Sequence, residues 1–79
     1  VITRNAASTL NATDVIESLH RHASGDWGNC CQEDRKANDL AVSDRSRIIS
    51  SYEDRSKTTF WIITEADRSI TTILLPADY

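Results

Sequence analysis

Few groups in this chain are able to do chemistry. They are His20 and His22, the adjacent thiols Cys30 and Cys31, and the turn Glu65-Ala66-Asp67-Arg68-Ser69. On a helix, two residues two apart sit about 200° apart around the axis, so His20 and His22 cannot share a face. With Cys30 and Cys31 they supply zinc ligands by type, but a zinc finger needs a separated cysteine pair, and the two here are neighbours. The expectation is no metal and no cofactor. One histidine packs against the Trp27 loop, and the other is solvated near a helix C-terminus, where a cation is favoured. Adjacent Cα atoms are too close for a relaxed disulfide, and two cysteines make no disulfide framework. Cys30 and Cys31 therefore read as free thiols in a reducing cytoplasm.

Trp27 stands in Gly25-Asp26-Trp27-Gly28. A tryptophan between glycines plugs the edge of a core or packs a loop onto a helix, and Asp26 suits a hydrogen bond that closes the loop. The competing reading is an exposed ring that stacks on a ligand. Carboxylates beside Arg68 suit acid–base chemistry or anion binding, yet a turn between strands is polar on structural grounds alone. The chain has no glycine-rich phosphate loop, no G-x-S-x-G elbow and no H-E-x-x-H pair.

The elements that position these groups come from a single domain, residues 1–79. Its first residue is Val1 rather than methionine, which raises the expectation of a missing N-terminal segment. The composition, 39% hydrophobic and 27% charged, is that of an ordinary globular protein. Nine Lys and Arg against twelve Asp and Glu give a net charge of -3, with no basic block. Nucleic acid is thus not favoured as a partner, although Arg45, Arg47, Arg55, Lys57 and Arg68 are able to form a small basic patch. No apolar run has the length of a membrane span, and no signal peptide is visible, which points to the cytoplasm.

Residues 1–3 read as the end of a short strand and 5–10 as one or two helical turns. Asn11 and Thr13 are good N-cap types, and Val15, Ile16 and Leu19 follow with helical spacing. That helix should run to Ala23 and stop at Gly25. A second helix is expected from Asn29, capped with Gln32, with Ala37, Leu40 and Ala41 as its apolar stripe. Residues 47–52 form a strand candidate. Residues 58–64 form the strongest one, apolar on both faces and so central, and 71–75 close the sheet before Pro76. The architecture expected is α+β: two N-terminal helices packed on a three-stranded antiparallel meander at the C-terminus.

Two stretches resemble a known family. They are Leu19-His20-Arg21-His22 with Ser24-Gly25-Asp26-Trp27-Gly28, then Glu33-Asp34 and Ala37-Asn38, and Phe60-Trp61-Ile62-Ile63-Thr64-Glu65-Ala66-Asp67-Arg68-Ser69 with Leu74-Leu75-Pro76 and Asp78-Tyr79. The likeness is to small bacterial proteins encoded on plasmids and other mobile genetic elements, described mostly as hypothetical or of unknown function. It implies a context, that of a cytoplasmic accessory protein, and no chemistry. The Cys30-Cys31 pair is outside the shared motifs, and Ser43 to Arg45 lacks the glycines the resemblance leads one to expect there.

Two functions compete. The first is a non-catalytic protein-binding module that uses the loop from His20 to Trp27 and an exposed face or edge of the sheet. Its candidate binding residues are His20, His22, Asp26, Trp27, Trp61 and Arg68, and a homodimer is one form it takes. The alternative is a small toxin-like ribonuclease, in which His20 or His22 and Glu65 serve as acid and base while Arg68 stabilises developing charge. It requires the histidine and Glu65 to converge on one cleft. A DNA-binding regulator is the weakest option, because the helices lack a basic recognition surface.

Overall fold

A computed structural model describes all 79 residues, Val1–Tyr79. Three helices precede the sheet: α1 (Arg4–Thr9), α2 (Ala12–Ala23) and α3 (Gln32–Asp44). The strands β1 (Ile48–Glu53), β2 (Thr59–Thr64) and β3 (Thr71–Leu74) follow, and a 3₁₀ turn, Pro76–Asp78, ends the chain. The sheet is an antiparallel meander in the order β1-β2-β3, so β2 is central. This is the α+β arrangement expected, with a third helix where one or two turns were foreseen. No helix is long and apolar enough to cross a membrane.

Register decides which side chains meet. Ile48, Ser50 and Tyr52 stand opposite Thr64, Ile62 and Phe60, and β3 adds Thr71 and Ile73 to the same face. The main core forms on that face. Tyr52, Phe60, Ile62 and Ile73 pack with Ala6 and Leu10 around α1 and Val15 of α2. A second, separate cluster unites Trp27, Ala41 and Ile48 beneath α3. The other face of the sheet carries Trp61, Ile63 and Leu74.

Local signals start and stop the first helices. Thr3 caps α1 by accepting the Ala6 N–H at 3.2 Å, and the Asn11 carboxamide accepts the Asp14 N–H at 3.1 Å to cap α2. Gly25 follows α2 with φ 85°, a conformation only glycine adopts without strain.

The α3 region departs from expectation. Asn29 caps nothing: its N–H, which the Gln32 side chain would accept in a capping box, instead donates to the Ser51 carbonyl at 2.7 Å, and the Ser51 N–H donates to the Trp27 carbonyl at 3.2 Å. The chain at 27–29 thus runs beside β1, and α3 starts later, behind Cys31, which makes no side-chain cap. Gly28 makes this approach possible: it has φ 71°, and a Cβ there would sit 2.1 Å from the Ser51 carbonyl oxygen.

The apolar stripe of α3 is also not as expected. Ala41 is buried, but Ala37 lies outside and Leu40 is 67% exposed. Asn38 faces inward instead. Its carboxamide donates to the Ile49 carbonyl at 2.7 Å and accepts the Ile49 N–H at 3.2 Å, as a neighbouring strand would. The opposite edge is covered as well. Residues 1–3 pair parallel with β3 through Thr3 N–H to Ile73 O at 3.0 Å and Ile73 N–H to Val1 O at 2.8 Å. The open edge expected to receive a partner strand is therefore occupied on both sides, by a helix side chain and a loop at β1 and by the N-terminal residues at β3.

Helix α3 ends on Arg45 in the left-handed region, φ 64°, where glycine is the usual residue. The Arg45 side chain is exposed and takes part in no hydrogen bond or ion pair of the fold. Arg45→Gly is expected to raise stability by about 0.5–1 kcal/mol, because the strain of the αL arginine is removed at no loss of contact. Urea denaturation measures this; a variant less stable than the parent contradicts the assignment.

Candidate functional site

The inward face of α2 carries Val15, Ser18 and His22, spaced three and four residues apart. This spacing aims His22 at the sheet and leaves His20 exposed on another side of the helix. Both ring nitrogens of His22 are engaged. Nδ1 lies 2.5 Å from Ser50 Oγ on β1 and Nε2 lies 2.8 Å from Thr64 Oγ1 on β2. The chain continues from Thr64 Oγ1 to Thr71 Oγ1 at 2.9 Å on β3, and Ser50 Oγ reaches the Ile62 carbonyl at 3.5 Å. Burial, which penalises the charged form, pushes the His22 pKa below the usual 6.5.

A serine on one ring nitrogen and an orienting hydroxyl on the other resembles a nucleophile–base pair. Ser50, however, is 0% exposed, so no substrate reaches its oxygen. The arrangement acts as a polar tie between α2 and all three strands. No buried side-chain nitrogen or oxygen in the protein lacks a hydrogen-bond partner.

Trp27 packs edge-on against His22, with centroids 5.9 Å apart and an interplanar angle of 75°. Its Nε1–H donates to Asp39 Oδ1 at 2.9 Å, which fastens the loop to α3. Asp26 closes the same loop: it accepts the Gly28 N–H at 3.1 Å and pairs with Arg21 at 2.8 Å. Arg21 beside it holds the Asp26 carboxyl below the usual carboxylate range.

Arg68 sits in the β2–β3 turn with φ 62°. Its guanidinium donates to the carbonyls of Ala41 at 2.8 Å, Ser46 at 2.7 Å and Glu65 at 3.3 Å. It thus caps the C-terminal end of α3, where a cation is favourable, and pairs with neither the Glu65 nor the Asp67 carboxylate.

His22, Trp27 and Arg68 line one open cleft of ≈ 360 Å³, together with Ser24, Thr64 and Val42. Three of the residues singled out from the sequence therefore meet, and each makes hydrogen bonds inside the fold. The others lie elsewhere. Trp61 is on the far face of the sheet, stacked edge-on against Tyr79 at 5.7 Å. Glu65 is on that side too, paired with Arg47 at 3.5 Å, and the Arg47 guanidinium also donates to the Tyr79 hydroxyl at 2.9 Å. His20, His22 and Glu65 do not converge, so the acid–base pair that a ribonuclease requires is not assembled.

The basic residues also separate. Arg45, Arg47 and Arg68 share the end of the sheet where Ile48 meets Thr64, whereas Arg55 and Lys57 belong to the β1–β2 turn at the other end. There Arg55 is bound to Asp14 at 3.0 Å. Cys30 is partly buried, with Sγ 3.5 Å from the Ile49 carbonyl, and burial pushes its thiol pKa up, away from the reactive thiolate. Cys31 is exposed. No group of three or more His, Cys, Asp or Glu side chains is placed to hold a metal ion.

The sequence reading missed an aliphatic groove of ≈ 390 Å³ between α1, α2 and the N-terminal residues, lined by nine residues that are all hydrophobic. Ile2, Ala7, Ala12 and Ile16 are exposed along it, with Ile73 beneath. The signal was present in α2, where Val15 and Ile16 are adjacent and about 100° apart, so a narrow helix contact buries only one of them.

Comparison with known proteins returns no match: no family fits the sequence, and no curated protein and no solved structure is significantly similar to it.

The tie at His22 has a measurable consequence. Thr64→Val leaves Nε2 without its partner and is expected to cost about 1–3 kcal/mol, whereas His20→Ala should fall within about 0.5 kcal/mol of the parent. Denaturant titration of both variants is the check, and equal costs would remove the structural role assigned to His22.

Proposed function

We propose that the domain is a non-catalytic protein-binding module, an accessory protein of the kind carried by mobile genetic elements, and that its partner docks at the aliphatic groove. The mobile-element context comes from the sequence resemblance. The docking surface is argued from one observation: every residue lining the groove is hydrophobic, and two of those on its rim, Ile2 and Ile16, are 43% and 55% exposed. Small folded domains keep contiguous aliphatic surface in water chiefly where another molecule covers it.

The groups with chemical capability point the same way. His22, Arg68, Trp27 and Asp26 spend their hydrogen bonds inside the fold. The groove lining includes buried Ala6 and exposed Ala7 and Ala12, whose small side chains leave the volume that larger residues would fill. Its lining side chains offer no charge and no aromatic face, so its partner contributes aliphatic anchors, as in helix-in-groove or knob-in-pocket recognition. A second copy of the chain is one such partner.

The test is a crosslinking pull-down combined with sedimentation of the purified protein. Ile16→Lys puts a charge on the rim at an exposed, helix-compatible position, so far-UV circular dichroism should be unchanged. Capture of the partner, or self-association, should fall by at least about tenfold, the cost of placing one charge in an apolar contact. Binding that is indifferent to Ile16→Lys and to Ala7→Lys would overturn the assignment of the groove.

A further inference from the structure

The two hydrophobic clusters are separate. Trp27, Ala41 and Ile48 form one, and the main core around Phe60 and Ile62 forms the other. Regions of low local packing open independently of a core in many folds. His22 stands at the boundary: its helix belongs to the layer over the main core, and its ring touches Trp27 of the smaller cluster. We propose that His22 is an acid-sensitive latch. As a neutral ring it ties the last turn of α2 and the Trp27 loop to the sheet; as an imidazolium it releases both while the main core stays folded.

The hydrogen-bond chain supports this. A neutral imidazole donates from one nitrogen and accepts at the other, so one hydroxyl donates to the ring and the other accepts from it. Protonation makes both nitrogens donors. Ser50 and Thr64 must then both accept, and their own protons must turn to Ile62 O, a long 3.5 Å away, and to Thr71 Oγ1 at 2.9 Å. The positive charge finds no carboxylate. β1 faces the ring with Ile48 and Ser50, β2 with Thr64, and α3 with Val42, and the one charged group lining the cleft is the Arg68 guanidinium. Asp39 of α3 is engaged by Trp27 Nε1, and Asp26 by Arg21 and Gly28. The carbonyls at the end of α2 would favour a cation, but those of His20, Arg21 and His22 already accept from Ser24, Gly25 and Asp26. Because the folded pKa lies below the usual 6.5, the neutral tie is complete above that value and weakens as pH falls beneath it.

Trp61→Phe, on the far face of the sheet, leaves Trp27 as the single tryptophan. In that background Trp27 emission should shift to the red, with a midpoint below about pH 6.5, while far-UV circular dichroism keeps its neutral-pH value. His22→Gln, whose neutral amide spans the two hydroxyls, should abolish the shift. Emission that stays flat down to about pH 5, a shift that survives His22→Gln, or emission and circular dichroism that move together would each overturn the latch. If His22→Gln fails to fold, the His22 ring proton resonances of the parent decide. They should titrate at the midpoint of the Trp27 shift, and a different midpoint refutes the proposal.

Discussion

The outer side of β1 carries backbone donors and acceptors that no fourth strand receives, and burying them unpaired would cost more than so small a core supplies. The chain meets this constraint with two devices. Asn38 turns its carboxamide inward and takes both the N–H and the carbonyl of Ile49. Two residues along, the loop at Trp27 and Asn29 takes the N–H and carbonyl of Ser51, which works because Gly28 has no side chain to collide with it. The rest of the α3 region follows. The helix begins behind Cys31, buries Asn38 and Ala41, leaves Leu40 in solvent, and closes the Trp27–Ala41–Ile48 cluster.

The remaining polar groups obey the same rule. His22 bridges two strands, and Arg68 takes two carbonyls at and after the end of α3, those of Ala41 and Ser46, and a third, that of Glu65, in its own turn. Asp54, buried in the β1–β2 turn, accepts the backbone N–H groups of Asn11, Ser56 and Thr58. Residues that look reactive in isolation are in this way converted into fasteners. A histidine with both nitrogens occupied, beside a serine closed to solvent, is a poor general base, and an arginine bonded to carbonyls is a poor clamp for an anion. The aliphatic groove between α1, α2 and the N-terminal residues takes no part in these polar ties.

Much of the fold is legible in the residues. Asn11 before an apolar helical pattern, Gly25 after it, and a β-branched and aromatic run at 58–64 each act through local physics: a side-chain cap, a positive φ, a pleated surface with two apolar faces. These hold whatever surrounds them, and α2, its end and the central place of β2 came out as expected. The start of α3 did not, because Asn29 is as good a cap type as any, and only the pairing of residues 27–29 with Ser51 of β1 holds it in an extended segment ahead of the helix.

For the site, helical geometry alone requires that His20 and His22 face different ways, and the flanking glycines favoured a loop-packing Trp27 over an exposed, ligand-stacking one. The sequence by itself did not determine which histidine turns inward, nor what meets it. The partners of His22 lie 28 and 42 residues away in the chain, and strand register alone brings Ser50 and Thr64 onto the face that α2 covers. The same alternation carries Glu65 to the opposite face and so separates it from the histidine. Composition and periodicity act over a few residues, whereas which polar groups meet depends on how whole elements pack against one another.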